Sequence, residues 1–364
     1  MKLVKYLLAA AVIGTAGMAS VTSGIAADPG VATGNTSQMK IALSNFYAGN
    51  TWRQQLLKAW DQSANAAVKD GIIKATKIVN ANNSASEQAS QIESLIVEGW
   101  NAIVVDPISP TALNGVIQEA CDAGIVVVVF NETATAPCAY KLSNDYVAMG
   151  ASEIDFLAKA LNGKGSLLEV RGIAGTSADD DIHNGIVSAM EKYPGFKIVG
   201  SVHGNWTQTI AQKEVAGILP SLLPIDAIVT QGGDGYGTYQ AFKAAGRPTP
   251  IIIMGHRQEE LALWKEILQE NPSYQTFSAS STPGGSKIAF WMAQQILAGK
   301  DVPKDISLPT PVIEEQDLDT WLKVMPKGSV AVFPYSQEWT ANMIDAVAAG
   351  NPVPPSPVAQ PGDM

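Results

Sequence analysis

The sequence predicts an α/β fold made of two lobes, each a parallel sheet flanked by helices. From Lys40 onward, short apolar segments typical of buried strands alternate with longer segments whose apolar residues recur at helical spacing. The alternation restarts near residue 147, after about one hundred residues, an ordinary size for one domain. With 364 residues, 46% of them apolar, the chain is long enough to bury two separate cores.

The first lobe is predicted from three kinds of pattern. The first helix has apolar residues at helical spacing, Pro107 ends a short apolar strand, and a nearly unbroken run of β-branched residues precedes Asn131. In chain order, the expected elements are strand Lys40–Ser44, helix Trp52–Asp70, strand Ala75–Asn80, helix Ser84–Glu98, strand Ala102–Asp106, helix Ser109–Ala123, strand Ile125–Phe130 and strand Ala139–Leu142.

The second lobe repeats the alternation of strands and helices. Its expected elements are helix Val147–Asn162, strand Ser166–Val170, helix His183–Lys192, strand Lys197–His203, helix Thr207–Leu222, strand Ala227–Thr230, helix Gly237–Ala245, strand Ile251–Met254, helix Glu259–Glu270, strand Thr276–Ser280 and helix Pro283–Ala298. Two later segments, Thr320–Val324 and Ser336–Ala349, also look helical.

One stretch of the second lobe reads as a strand, a glycine turn and a helix. Gly172 and Gly175 allow the chain to turn sharply, and Thr176 or Ser177 can cap the helix that follows. The acidic run Asp179–Asp181 has two interpretations. It complements the helix dipole, or it faces a ligand, because ligands of open α/β sheets bind beyond the carboxyl ends of the strands.

The chain begins with a segment typical of secretory signal peptides. Lys2 and Lys5 precede an apolar run, and small residues allow cleavage near Ala26 or Ala27, so residues 1–27 are expected to be removed on export. Asp28–Gln38 reads as a linker, and the Pro-rich residues 351–364 are expected to form a disordered tail. The net charge of −10 argues against a nucleic-acid partner, whose phosphates attract basic surfaces.

Two cysteines remain in the exported chain. Cys121 lies near the end of a predicted helix and Cys138 just before the next predicted strand. If that strand is parallel to its neighbours, the two thiols lie at the same edge of the sheet and can form a disulfide; otherwise they are two small apolar side chains.

Polar and aromatic side chains follow most of the predicted strands. Asn50 fits either a helix cap or a ligand contact, and Trp52 either core packing or a ring platform. Aromatic faces and bidentate polar groups together suit a small polyhydroxylated ligand. The expected ligand-binding residues are Phe46, Tyr47, Asn50, Trp52, Arg53, Asp106, Asn131, Glu132, Asp180, Asp181, His183, Trp206, Gln231, Asp234, His256, Arg257 and Ser281.

The usual enzyme motifs are missing from the sequence. It contains no HExxH, CxxC or GxSxG pattern, and His183, His203 and His256 lack the spacing of metal ligands. No catalytic residue, metal or cofactor is therefore expected. The alternative is an exported α/β hydrolase, in which Asp180 and Asp181 act with His183 because clustered carboxylates can raise a pKa.

Several segments carry a family resemblance. The most specific is the turn Gly172–Ala178, GIAGTSA, and supporting pieces are Ile41–Ser44, Gly124–Asn131, Ser143–Asp145 and Gly237–Gly246. Together they resemble the periplasmic sugar-binding proteins of ABC importers, of the ribose-binding type. The resemblance implies the type I periplasmic binding protein fold: two Rossmann-like lobes joined by three hinge crossings and closing around a ligand. The implied crossings lie near Asp145, Thr282 and Pro309–Pro311. The implied lobes are residues 39–144 plus 283–309, and residues 145–282 plus 310–350.

The family's ligand contacts carry over only in part. Asn50, Trp52 and Trp206 match the expected amide and ring positions. The departures are Arg53 in place of a second aromatic, Asn131-Glu132 in place of Asp-Arg, Ile182 in place of a clamping arginine, Gln231–Asp234 in place of Asn-Asp, Arg257 in place of aspartate, and Ser281 in place of glutamine.

The resemblance implies a monomer in the periplasm that delivers a sugar or polyol to the membrane permease of an ABC importer. A sensor that presents the ligand-bound state to a membrane receptor would have the same fold and site, so the sequence leaves that alternative open.

Overall fold

The computed structural model describes residues 30–359. The predicted signal peptide lies outside the described residues. Among residues 30–359, no helix is long and apolar enough to cross a membrane.

Strands and helices alternate along the described chain. Residues 40–144 form β1 (Lys40–Asn45), α1 (Thr51–Lys69), β2 (Ala75–Asn80), α2 (Ala85–Val97), β3 (Ala102–Asp106), α3 (Asn114–Asp122), β4 (Val126–Asn131) and β5 (Tyr140–Asn144). Residues 146–279 form α4 (Tyr146–Ala160), β6 (Lys164–Arg171), α5 (Ser177–Met190), β7 (Gly195–His203), α6 (Gln208–Ile218), β8 (Ala227–Thr230), α7 (Gly235–Ala244), β9 (Ile251–Ile252), α8 (Gln258–Glu270) and β10 (Ser278–Ala279). The remainder contains α9 (Gly285–Leu297), β11 (Asp305–Leu308), β12 (Val312–Ile313), α10 (Leu318–Val324) and α11 (Gln337–Ala348).

The first lobe contains a six-stranded parallel sheet in the order β11-β5-β4-β3-β1-β2. Ile41, Ala42 and Leu43 are all fully buried, so both faces of β1 are covered by helices, which is typical of parallel sheets. Asn45 pairs in register with Asp106, and β4 ends nearby at Asn131. The polar residues that follow these strands therefore meet at one edge.

The second lobe contains a four-stranded parallel sheet in the order β7-β6-β8-β9. The predicted strand Thr276–Ser280 is reduced to β10, which pairs antiparallel with β12 outside this sheet. The predicted helix Ser109–Ala123 begins only at Asn114, because the Ser109 hydroxyl accepts the N–H groups of Thr111 and Ala112 in a turn.

The chain crosses between the lobes near Asp145, Thr282 and Pro309–Pro311, at the positions expected from the sequence. It then crosses a fourth time, because α10 packs on α8 of the second lobe whereas α11 packs on α9 of the first. The assignment of residues 310–350 to the second lobe is thus wrong for α11. We call residues 329–336, which make this fourth crossing, the strap.

The Pro-rich tail was expected to be disordered, and this is wrong for residues 351–359. The Trp339 indole donates to Pro355 O (3.0 Å), the hydroxyls of Tyr335 and Ser356 lie 2.8 Å apart, and Ala359 is buried. These hydrogen bonds attach the tail to Tyr335 and to α11, which composition alone does not reveal. Residues 360–364 lie outside the described part.

Cys121 and Cys138 form a disulfide, with their Cα atoms 6.3 Å apart. The bond joins the end of α3 to the segment before β5, and this confirms the pairing that the parallel arrangement of the strands predicted.

Candidate functional site

A cleft lies between the lobes, where the carboxyl ends of the two sheets face each other. It contains about 510 Å³ of space that no atom fills, part of which is open to solvent. Its lining residues come from both lobes, the hinge and the strap: Asn50, Trp52, Arg53, Asn131, Glu132, Tyr146, Ala178, Ile182, Trp206, Gln231, Gly232, Gly233, His256, Arg257, Ser280, Ser281 and Val330.

Arg53 is the central cation of the first-lobe wall. Its guanidinium binds the carboxylate of Asp106 and lies 3.7 Å from Glu132 Oε1. It also lies 4.3 Å from the ring centroid of Phe46 and 5.0 Å from that of Trp52. Two carboxylates therefore lie against one buried guanidinium, and only 3% of Arg53 is exposed.

A chain of hydrogen bonds joins this wall to the hinge. Asn131 donates to Asp106 Oδ1 (3.2 Å) and accepts from the hydroxyl of Tyr146 (2.9 Å), which in turn accepts from Asn144 (3.1 Å). Asn131 has φ +62°, an uncommon backbone conformation that aims its amide along this chain. Burial raises the pKa of Tyr146, so its hydroxyl stays protonated and can donate.

Glu132 connects the two lobes. Its Oε2 accepts from the hydroxyl of Ser177 (2.8 Å) and from the N–H of Ala178 (3.2 Å), at the start of α5 in the second lobe. The N–H of Thr133 donates to the same hydroxyl (3.1 Å). Burial raises the pKa of Glu132 to about 7, against the effects of Arg53 and these hydrogen bonds. We call these three bonds the latch.

Trp206 forms the aromatic wall on the second-lobe side. A Cβ on Gly172 would lie 2.2 Å from the Trp206 ring, so only glycine leaves room for the indole. Asn205 and Trp206 both have positive φ, at +55° and +51°. Gly175, with φ +86°, makes the turn that was predicted for both glycines.

Gln231 lines the cleft, but its amide is largely used by the protein. Its Oε1 accepts from the N–H of Gly172 (2.8 Å), and its Nε2 donates to the carbonyl of Asp179 (3.0 Å). Asp179 is also occupied, because Arg171 binds its carboxylate (2.8 Å). This network fixes the glycine turn against which Trp206 packs.

Arg257 is the second cation of the cleft. Its guanidinium donates to the carbonyls of Gly233 (2.9 Å) and Trp206 (2.8 Å), while 6% of the residue is exposed. Asp234 and Glu260 are fully buried nearby, and desolvation raises the pKa of each although Arg257 opposes it. Arg257 thus faces the cleft with its charge only partly compensated.

The structure places ten of the predicted site residues on the cleft wall: Asn50, Trp52, Arg53, Asn131, Glu132, Trp206, Gln231, His256, Arg257 and Ser281. The side chain of Asn50 caps α1 by accepting from Arg53 N (2.9 Å), so the predicted cap is confirmed, and the residue also lines the cleft. Whether these residues contact a ligand remains a prediction.

The other predicted residues lie off the cleft wall, for physical reasons. Phe46, Asp106 and Asp234 are fully buried, and the first two hold Arg53 from behind. Tyr47 turns back over Gly49, where an added Cβ would come within 2.6 Å of its ring.

The acidic helix start does not converge on the cleft either. Asp180 is exposed and lies 3.2 Å from Arg171, whereas His183 Nδ1 lies 2.6 Å from Glu169 Oε1. Asp181 is half-buried, and burial followed by the charges of Asp180 and Asp145 raises its pKa. Successive positions on a helix point about 100° apart, which separates Asp180 from Asp181. The hydrolase alternative is therefore not favoured.

The expected ligand-binding residues did not include Tyr146, Ala178, Ile182, Gly232, Gly233, Ser280 and Val330, which also line the cleft. Tyr146 directly follows the first crossing, so its position at the end of β5 could have revealed it. Val330 had no such signal, because it reaches the cleft through the unpredicted fourth crossing.

Comparisons with known proteins agree with this architecture. Residues 41–301 match the family model described as periplasmic binding protein domain. The chain is 31% identical over 244 residues to a xylitol-binding protein of Mycolicibacterium smegmatis, covering 66% of this chain and 68% of that one. It is 24% identical over 279 residues to the ribose import binding protein of Bacillus subtilis, covering 76% and 88%. A crystal structure of an ABC transporter solute binding protein from Thermobispora bispora superposes with a TM-score of 0.83 at 37% identity, covering 88% of this chain and 99% of that chain.

Proposed function

Because the chain belongs to the periplasmic binding protein family, we propose that it captures a neutral sugar or polyol in its cleft and delivers it to an ABC importer. The observation that carries this proposal is the wall in which Arg53, held from behind by Asp106, lies beside Glu132 and faces Trp206 across the cleft. Export through a cleaved signal peptide and a monomeric state belong to the same proposal.

The cleft chemistry supports a polyhydroxylated ligand. Ring faces of Trp52 and Trp206 can pack against C–H groups, while carboxylate, amide and guanidinium groups can each bind pairs of hydroxyls. The clamping arginine of the ribose-binding type is Ile182 here, so the second-lobe helix start offers an apolar contact. The loss of the arginine that clamps sugar hydroxyls favours a polyol or a modified sugar, in keeping with the xylitol-binding relative.

Closure of the lobes would complete the site. Arg53, Glu132, His256 and Arg257 are all less than 9% exposed, and the latch joins the lobes directly. A ligand that bridges the two walls would stabilise this closed arrangement and the surface that it presents to a permease.

A thermal-unfolding screen against xylitol, ribitol, D-ribose, D-xylose and myo-inositol tests the proposal. A ligand present at about 1,000 times its Kd adds ~4 kcal/mol of stability, a shift of several degrees. Protein unfolded and refolded beforehand excludes carried-over ligand. Absence of a shift with any of these compounds would contradict the ligand class.

The aromatic wall is tested by Trp52→Ala and Trp206→Ala. Each should weaken binding of the identified ligand by at least about 30-fold, as expected for a buried aromatic contact. Trp339→Ala is the matched control, since Trp339 is also partly buried but packs against Pro355 instead of the cleft. Calorimetric titration measures the affinities; equal affinities in all three variants would contradict the site.

A further inference from the structure

The strap lies outside the part of the chain that matches the family model, which ends at residue 301. It nevertheless reaches the cleft, because Val330 is one of the lining residues and is only 1% exposed. An element beyond the shared domain thus contributes to the wall that a ligand would contact.

Backbone hydrogen bonds attach the strap to the loop that carries two other cleft residues. The N–H of Ala331 donates to the carbonyl of His256 (2.9 Å), and the N–H of Gln258 donates to the carbonyl of Ser329 (2.9 Å). Val330 and Arg257 face each other as an antiparallel bridge. This pairing fixes the position of Val330 relative to Arg257.

The strap is also fixed to the second hinge crossing. The Thr282 hydroxyl donates to the carbonyl of Ala331 (3.2 Å) and accepts from the N–H of Phe333 (3.4 Å). A Cβ on Gly284 would come within 2.6 Å of the Phe333 carbonyl, so this approach needs glycine. Phe333 packs against Trp321, with ring centroids 4.8 Å apart. Val330 is therefore held on both sides by ordered contacts.

We propose that the strap is part of the ligand site and that Val330 determines ligand length by closing the Arg257 end of the cleft with an apolar side chain. This inference rests on the proposed function. Val330 offers no hydrogen-bond partner, so a hydroxyl placed against it would lose its bonds to water without replacement. The site accordingly accepts a five-carbon ligand and disfavours the same ligand extended by a hydroxymethyl group.

Two matched ligand pairs test this discrimination: xylitol against D-sorbitol, and D-xylose against D-glucose. The wild-type protein should bind the five-carbon member of a pair about tenfold more tightly or better. Val330→Ala should reduce that ratio by about fivefold, because it leaves room for a water beside the added hydroxyl. Val330→Thr keeps the side-chain volume and supplies a hydroxyl that can bond the added hydroxyl of the ligand. It should therefore also reduce the ratio. This variant replaces Val330→Ala in the test if the alanine variant does not fold.

Val332→Ala is the control, since Val332 is buried in the same strap but does not line the cleft. Val332→Ala should lose about as much packing as Val330→Ala but leave the ratio of five-carbon to six-carbon affinities unchanged. If the wild-type protein binds but both Val330 variants keep its ratio, or if it prefers the six-carbon ligands, only this inference is overturned. If it binds none of the four compounds and none of ribitol, D-ribose and myo-inositol, the proposed function is overturned and this inference with it.

Discussion

At the scale of single residues, His256 combines nearly complete burial with ring nitrogens that lack well-formed hydrogen bonds. It is 1% exposed, and among the described residues only the backbone of Ser278 offers a weak polar contact, while the ring packs 6.0 Å from that of Phe333. Desolvation lowers the pKa of His256 to about 4. The folded protein therefore holds a neutral imidazole in the cleft wall, whereas the unfolded chain takes up a proton near the ordinary pKa of 6.5.

At His256, this difference predicts a contribution that destabilises the fold in acid, opposite in sign to the contribution of Glu132, whose pKa is raised in the folded state. Between pH 7 and pH 5 the unfolded state binds more protons at this position, which lowers the free energy of unfolding by about 2 kcal/mol. His256→Asn should remove that part of the pH dependence, while His203→Asn should keep it. Urea unfolding at pH 7 and pH 5 measures the free energy of unfolding of each protein. An equal change between the two pH values in wild type and His256→Asn would contradict the burial argument.

Single residues also show where sequence reasoning succeeds. Asn50 was expected to cap a helix or to face a ligand, and the local spacing predicted the cap that the structure shows. Gly172 was expected to permit a turn, but its function is to make room for Trp206, more than thirty residues further along the chain. A pattern of neighbours in sequence cannot reveal a contact of that kind.

At the scale of elements, the disulfide closes the segment that carries part of the cleft. Cys121 and Cys138 are 17 positions apart, and Asn131 and Glu132 lie between them. The bond therefore restricts β4 and the loop after it as one unit. Strand and helix order was predictable here because parallel strands place the end of α3 beside the start of β5.

Replacing both cysteines by serine should lower the free energy of unfolding by about 3 kcal/mol, the effect expected for a loop of this length. Reductant should destabilise the wild type by a similar amount and leave the double variant unchanged. Urea unfolding with and without reductant provides the comparison. If the two proteins respond equally to reductant, the bond does not contribute as described.

At the scale of the whole molecule, the latch predicts that closure and affinity are coupled. Ser177 does not line the cleft, yet it bonds Glu132 and Thr133 across the lobe boundary. Ser177→Ala should leave the ligand contacts in place and weaken binding by roughly fivefold, because a typical hydrogen bond contributes about 1 kcal/mol.

Small-angle scattering of the ligand-free protein provides the second readout, since the variant should be more open. Ser152→Ala on α4 is the control, because that hydroxyl bonds only within its own helix. If Ser177→Ala binds ligand with wild-type affinity and has the same radius of gyration, the latch does not hold the closed arrangement.

Pairing of the lobes was predictable from the repeated alternation of strands and helices, whereas the fourth crossing was not. The strap contains no helix or long strand, and it is attached by individual hydrogen bonds to residues such as Thr282 and His256, which are distant in sequence. Its neighbour α11 looked helical in the sequence, but nothing local indicated that it packs on α9.

The discontinuous first lobe has a consequence for how the protein is made. The helix α9, the edge strand β11 and α11 all follow the second-lobe sheet in the sequence, although they belong to the first lobe. While the chain is synthesised from its amino terminus, β1, β3 and β4 lack α9, which covers one face of their sheet, until nearly all of the chain has emerged. The second-lobe sheet, which is built from residues 164–252, can form earlier. The lobe that begins first is therefore the one that is completed last.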